Sequence, residues 1–178
     1  GAKHVVATNT GTSALHIAMD VLGLQPGDEV IVPSLTFVAS FQAITSVGAT
    51  PIPCDVDADT LCMDPKDVEK RITSKTKALM PIHYGGHPCD MDTLMGLKEK
   101  YGLRIIEDAA HAFGSTYKGS KIGSYGDITC LSFGSQKNIT CGEGGAILSD
   151  DEDFDNLCRQ KRLLGMDRKS HSSSSWKE

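Results

Sequence analysis

"HVVATNTGTSALHIAMDVLGLQPGDEVIVPSLTFVASFQAITSVGATPIPCDV", residues 4–56, decides the fold class. Three short β-branched or apolar runs, HVVAT (4–8), EVIVP (29–33) and TPIPCDV (50–56), are separated by SALHIAMDVLGL and FVASFQAITSVG, two stretches with helical spacing. In the first of these Ala14, Leu15, Ala18, Val21 and Leu22 fall on one apolar stripe. Strand, helix, strand is the order in which parallel strands are joined, because a parallel return needs a crossover long enough to cover the sheet.

The alternation continues outward from this stretch. KALMPIHY (77–84), LRIIED (103–108), DITCLSF (127–133) and GAILS (145–149) bring the candidate strands to seven, with helical segments at PKDVEKRI and MDTLMGLKEKYG between them. The expected architecture is α/β, a three-layer α/β/α arrangement with a mostly parallel seven-stranded sheet. From residue 151 a charged helix, DEDFDNLCRQKRLLG, leads into "MDRKSHSSSSWKE", a serine-rich stretch that reads as a loop leaving the domain. At 178 residues, 39% hydrophobic and 23% charged, the chain reads as one globular domain.

Composition excludes several functions. A formal charge of -5 and the lack of a basic stretch interleaved with aromatics argue against nucleic-acid binding. No apolar run approaches the ~18 residues of a membrane span, and nothing resembles a signal peptide, so a cytoplasmic protein is expected. The six cysteines, Cys54, Cys62, Cys89, Cys130, Cys141 and Cys158, show no Cys-x-x-Cys spacing and read as small apolar fillers or incidental thiols.

Ligands of open parallel sheets bind beyond the carboxyl ends of the strands. After the first strand, Gly11, Thr12 and Ser13 open a helix whose amides and hydroxyls suit a phosphate, unless Thr12 or Ser13 is simply its N-cap. Phe37 follows the second strand and either lies on a planar ligand or packs in the core. Asp108 ends the fifth strand with His111 three residues on; the carboxylate either meets a cation, such as a protonated pyridine nitrogen, or caps the next turn. For His111 the plain alternative is a core histidine. Ser132 ends the sixth strand and delivers Lys137 into a glycine- and hydroxyl-rich turn, where a lysine is otherwise an exposed charge. One ligand satisfies these places together, being planar, anionic at one end, basic in its ring and reactive toward an amine: pyridoxal 5′-phosphate (PLP).

The segments "NTGTSAL", "PSLTFVAS", "EDAAHAFGSTYKGSKIGSYGD" and "SFGSQKNITCGEGGAILSDD", in this order and spacing, resemble the DegT/StrS sugar aminotransferases, fold-type I PLP enzymes. The resemblance runs from residue 1 to about Gly165. It implies that Lys137 is the Schiff-base lysine, Asp108 the carboxylate on the pyridine nitrogen, His111 the Gln-or-His position beside the ring hydroxyl, and Phe37 the stacking aromatic. Thr12, Ser13 and Ser132, with Gly11 in the same turn, correspond to the phosphate cradle. Gly142, Gly144 and Gly145 correspond to the turn into the last strand.

The implied reaction is amino transfer from glutamate or glutamine to a nucleotide-linked keto sugar, as in cell-surface polysaccharide biosynthesis, by a homodimer. A subset with histidine at the Lys137 position dehydrates sugars instead, and Lys137 favours transamination. Sugar dehydration or epimerisation and a non-catalytic PLP-binding module are the alternatives. Family members are longer, which implies that residues 1–165 form the PLP-binding large domain without its preceding helical segment and that residues 166–178 begin a linker to a small domain. On that expectation the 178-residue chain alone binds PLP weakly, self-associates and does not transaminate.

Three further patterns carry less. "GSTYKGSK" (114–121) approaches a phosphate-binding loop, but Ser120 stands where its lysine is needed. "CGEGGA" precedes a strand, not the helix of a dinucleotide fingerprint. His83, His87 and Cys89 in "HYGGHPC" lack a fourth ligand, so no metal is expected.

Overall fold

The computed structural model describes residues 2–166, so the expected linker over 166–178 lies, apart from Met166, outside the described residues. The elements are β1 (His4–Thr8), α1 (Gly11–Val21), β2 (Glu29–Pro33), α2 (Val38–Ser46), β3 (Thr50–Cys54), α3 (Pro65–Arg71), β4 (Thr76–Leu79), α4 (Met91–Tyr101), β5 (Arg104–Asp108), the two-residue strands β6 (Thr116–Tyr117) and β7 (Ser120–Lys121), β8 (Ile128–Ser132), β9 (Gly145–Ser149) and α5 (Glu152–Arg162).

Seven of the strands form one sheet in the order β1-β9-β8-β5-β4-β2-β3. Neighbours from β8 to β3 run parallel, whereas β9 is antiparallel to both β8 and β1. The expected mostly parallel sheet is therefore present, and β9 is its one reversed strand. Because β8 and β9 are antiparallel neighbours, residues 133–144 can join them directly without a crossover helix.

Alternation along the buried strands sorts the core into two layers. On one face Val30, Val32, Ala78, Met80, Ile106 and Ile128 meet Leu15 and Met19 of α1, Ile44 of α2 and Phe154 of α5. On the other, Ile31, Leu79 and Ile105 meet Val68 of α3 and Met91, Leu94 and Leu97 of α4. Local signals set the helix ends. Asp64, Asp90 and Asp151 cap α3, α4 and α5 by accepting first-turn amide hydrogens, and Gly102 ends α4 in the left-handed region at φ 67.

Two elements differ from the expectation. The run 77–84 is a strand only to Leu79; Pro81 has no amide hydrogen, the ladder retains an isolated bridge between Ile82 and Asp108, and Tyr84–Gly86 forms a 3-10 turn. The "GSTYKGSK" stretch folds as the small β6–β7 hairpin. Five cysteines are buried as expected of fillers, while Cys141 is exposed.

Candidate active site

A cleft of about 500 Å³ opens beyond the carboxyl ends of β2, β5 and β8. Gly11, Thr12, Phe37, Asp108, His111, Ser132 and Lys137 all line it. Ser13 does not: it faces an adjoining depression with Thr8, Asn9, His16 and Arg162.

The start of α1 explains both placements. Its N-cap is Thr10, not Thr12 or Ser13, with extended backbone at φ -152 and ψ 162. The Thr10 hydroxyl oxygen accepts from the Ser13 amide at 3.0 Å, so Ser13 is occupied in closing the cap. Gly11 and Thr12 become the first two helical residues, whose amides have no partner within the helix. Gly11 presses on the end of β8: a Cβ there would lie 2.6 Å from Ser132 Cβ and 2.9 Å from its Oγ. Gly145 presses from below, where a Cβ would lie 2.4 Å from the Thr10 carbonyl oxygen. The helix start and the Ser132 hydroxyl thus share one concave corner with the positive end of the helix dipole.

Asp108, only 6% exposed, lies at the floor. Its Oδ2 accepts from Ser40 Oγ at 3.0 Å and its Oδ1 from the Ala110 amide at 3.1 Å. The turn-capping bond is real, but it uses one oxygen and leaves the carboxylate facing the cleft. Among the described residues no lysine, arginine or histidine is ion-paired with it. Sequence reasoning missed Ser40, whose signal was a hydroxyl between Ala39 and Ala43 on the buried stripe of α2.

Phe37 is 73% exposed and precedes α2, so its ring stands at the mouth of the cleft and not in the core. His111 is also exposed; its Nδ1 accepts from the Gly85 amide at 3.2 Å, and Tyr84 lies edge-on to it with ring centroids 6.2 Å apart. Partial burial of the ring, then the charge of Lys137, lower its pKa below the ordinary 6.5, with Asp108 opposing. The neutral ring then carries its proton on Nε2. Lys137 is half-buried in the 133–144 connection, which is held by Phe133 N–H to Gly144 O at 2.8 Å, Cys141 N–H to Phe133 O at 3.1 Å and the Asn138 amide to Phe113 O at 2.8 Å. Gly142 takes φ 88 within it. Among the described residues Lys137 Nζ has no hydrogen-bond or ion-pair partner.

His83, His87 and Cys89 form no ligand set: His83 is bonded through Nε2 to Glu107 and through Nδ1 to the Cys89 amide. Among the described residues no group of three His, Cys, Asp or Glu side chains could hold a metal ion.

Comparison with known proteins places the chain in a family. The DegT/DnrJ/EryC1/StrS aminotransferase family matches residues 1–178. GDP-perosamine synthase of Caulobacter vibrioides is 48% identical over 167 residues, covering 94% of this chain and 45% of the relative. Among solved structures, DesV of S. venezuelae superposes with a TM-score of 0.91 at 44% identity, over 96% of this chain and 46% of that one. NtdA of Bacillus subtilis, solved with bound cofactor PMP, has a TM-score of 0.85 at 41% identity, over 89% of this chain and 36% of that one. The chain thus spans about half the length of the relatives it matches, or less. By sequence along its whole length and by fold, the chain belongs to the DegT/DnrJ/EryC1/StrS aminotransferase family.

Proposed function

We propose that this chain builds the cofactor site of a PLP-dependent aminotransferase that moves an amino group from glutamate or glutamine to a nucleotide-linked keto sugar. One observation carries the reading: among the described residues the buried carboxylate of Asp108 is met only by neutral donors and Lys137 Nζ has no partner, and both line one cleft. A buried carboxylate without a cation is costly, so the site asks for a ligand that is cationic at that depth. The rest of the cleft fits PLP. The α1 amides of Gly11 and Thr12 with Ser132 Oγ suit its phosphate, the exposed Phe37 ring suits its face, and His111 Nε2–H suits its ring oxygen.

When bound, PLP supplies an electron-accepting ring for the electron pair left as a proton departs from the substrate carbon. Asp108 would hold a proton on the ring nitrogen through its carboxylate, whose angle Ser40 and the Ala110 amide fix. Lys137 Nζ, unpaired among the described residues, would take the proton from the substrate carbon and return it. His111, its Nδ1 held by the Gly85 amide, would offer Nε2–H to the ring oxygen, and partial burial, then the nearby Lys137, disfavour its charged form. GDP-perosamine synthase among the relatives supports a nucleotide-linked sugar as substrate.

A homodimer is part of the reading. Leu35, Phe37, Val38, Phe113 and Ile139, in the cleft or near its residues in sequence, are exposed apolar side chains that a second subunit would cover. No helix among the described residues is long and apolar enough to cross a membrane, which is consistent with work in the cytoplasm.

PLP titrated into the protein should shift its visible absorption band away from that of free PLP, a shift absent in Lys137→Arg. Turnover is measured in the longest reading frame containing residues 1–178, where glutamate should bleach the shifted band and release 2-oxoglutarate. A spectrum identical to that of free PLP at saturating PLP, or a shifted band indifferent to every amino acid offered, refutes the reading.

A further inference from the structure

On the face of β5 opposite Asp108, His83 and Glu107 form a pair that is 0% exposed. His83 Nε2 lies 2.9 Å from Glu107 Oε2, while Glu107 Oε1 accepts from the Gly126 amide and Thr129 Oγ1, each at 2.8 Å. His83 Nδ1 accepts from the Cys89 amide at 3.1 Å, so the proton of the neutral ring sits on Nε2 and is donated to Glu107. Both ring nitrogens and both carboxylate oxygens are used. The fit allows little movement, since a Cβ on Gly126 would lie 2.8 Å from Glu107 Oε1. A polar cluster this deep is stable only while fully bonded, which makes it a clamp between β5, β8 and the 83–89 turn.

That turn reaches the cleft. His83 N–H donates to Asp108 O at 3.1 Å, Gly86 N–H donates to His83 O at 3.1 Å, and Cys89 Sγ donates to Ile82 O at 3.1 Å. The closed loop sets the position of Gly85, whose amide donates to His111 Nδ1 at 3.2 Å. Gly86 lies against the His111 backbone, where a Cβ would approach the carbonyl oxygen to 2.9 Å. We propose that His83 and Glu107 are positioning residues that hold the Gly85 amide on His111 Nδ1 and so present His111 Nε2–H to the cleft as a fixed donor. The clamp stands on this geometry alone; its effect on turnover rests on the aminotransferase reading above.

Glu107→Gln tests it with almost no change of volume. With its oxygen toward Gly126 and Thr129, the new amide turns N–H toward His83 Nε2. His83 must then accept there and carry its proton on Nδ1, facing the Cys89 N–H donor to donor. With the amide reversed, its N–H instead faces the Gly126 amide. Either orientation breaks the clamp at one joint. Amide exchange followed by NMR on the ¹⁵N-labelled chain should show Gly85 exchanging about tenfold faster, the loss of roughly one hydrogen bond, with Ile106 in the β5 core unchanged. Equal acceleration of Gly85 and Ile106 would mean plain destabilisation and would overturn the proposal, as would an unchanged Gly85. Should the variant not fold, the wild-type His111 ring answers: protonation at Nε2 with a coupling from the Gly85 N–H to Nδ1 supports the clamp, and protonation at Nδ1 overturns it. A protein that shows the expected Gly85 exchange yet never takes up PLP supports the clamp and sinks the cofactor reading, so the two failures are separable.

Discussion

Gly11→Ala and Gly96→Ala are the same chemical change in two helices and should act in opposite directions. At Gly11 the new methyl would sit 2.6 Å from Ser132 Cβ and 3.2 Å from its Cα. Carbon atoms rest at about 3.5–4.0 Å, so α1 and the end of β8 must separate by roughly 1 Å. Overpacking of this kind costs about 1–3 kcal/mol, and the better helix propensity of alanine returns about 0.5–1 kcal/mol, leaving a net loss of about 0–2.5 kcal/mol. For a chain of 178 residues that corresponds to a Tm lower by up to about 10 °C. At Gly96, exposed inside α4, a Cβ meets nothing within 4 Å, so the same change should raise Tm by about 1–4 °C. The separation at Gly11 also splits the corner formed by the α1 amides and Ser132 Oγ, so affinity for PLP should fall at least about tenfold, the loss of roughly one charge-assisted hydrogen bond. Thermal melts of both variants and PLP titration by absorbance check this. A Gly11→Ala protein with wild-type Tm and PLP affinity would refute the contact between α1 and Ser132 on which the cradle depends.

Asp108→Asn keeps both local bonds available, through an oxygen for the Ala110 amide and an amide for Ser40, so stability should hold while PLP affinity falls by about 10–100-fold, the share of one hydrogen bond to a charged group; absorbance titration and a urea melt separate the two effects. His111 is predicted to make stability depend on pH. Its folded pKa is depressed by burial and by Lys137 below the unfolded 6.5, so the unfolded chain takes up the proton first as pH falls; the contribution is whole above 6.5 and is lost on acidification through the window from 6.5 down to the folded value. Urea midpoints for wild type and His111→Gln should therefore converge or cross below pH 6.5, and parallel curves through that window would contradict the assignment.

The sheet was legible because its strands are short buried runs separated by helices with one apolar stripe, and each signal is local. β9 was legible as a strand but not as a reversed one, since direction depends on the absence of a crossover between β8 and β9. The 77–84 run was misjudged at its end, where apolar composition continues but Pro81 lacks the amide hydrogen of a continuous ladder and only an isolated bridge from Ile82 to Asp108 remains. Seven candidate residues read by their place after strand ends are brought by the structure to one cleft. Ser13 lines an adjoining depression instead, because the cap lies at Thr10 and the Ser13 amide closes it. Ser40 and the Gly85 amide were out of reach for another reason: each contacts a residue distant in sequence, Asp108 and His111, and only the packing of α2 and the 83–89 turn brings them there.

The central claim is that Lys137 is the amine that meets the cofactor. Borohydride treatment of the PLP-loaded protein, followed by tryptic digestion and mass spectrometry, tests it most directly. The account predicts a pyridoxyl group on Lys137, with cleavage after that residue blocked. A pyridoxyl group on Lys118 or Lys121 in its place, or no labelled lysine at saturating PLP, would contradict it.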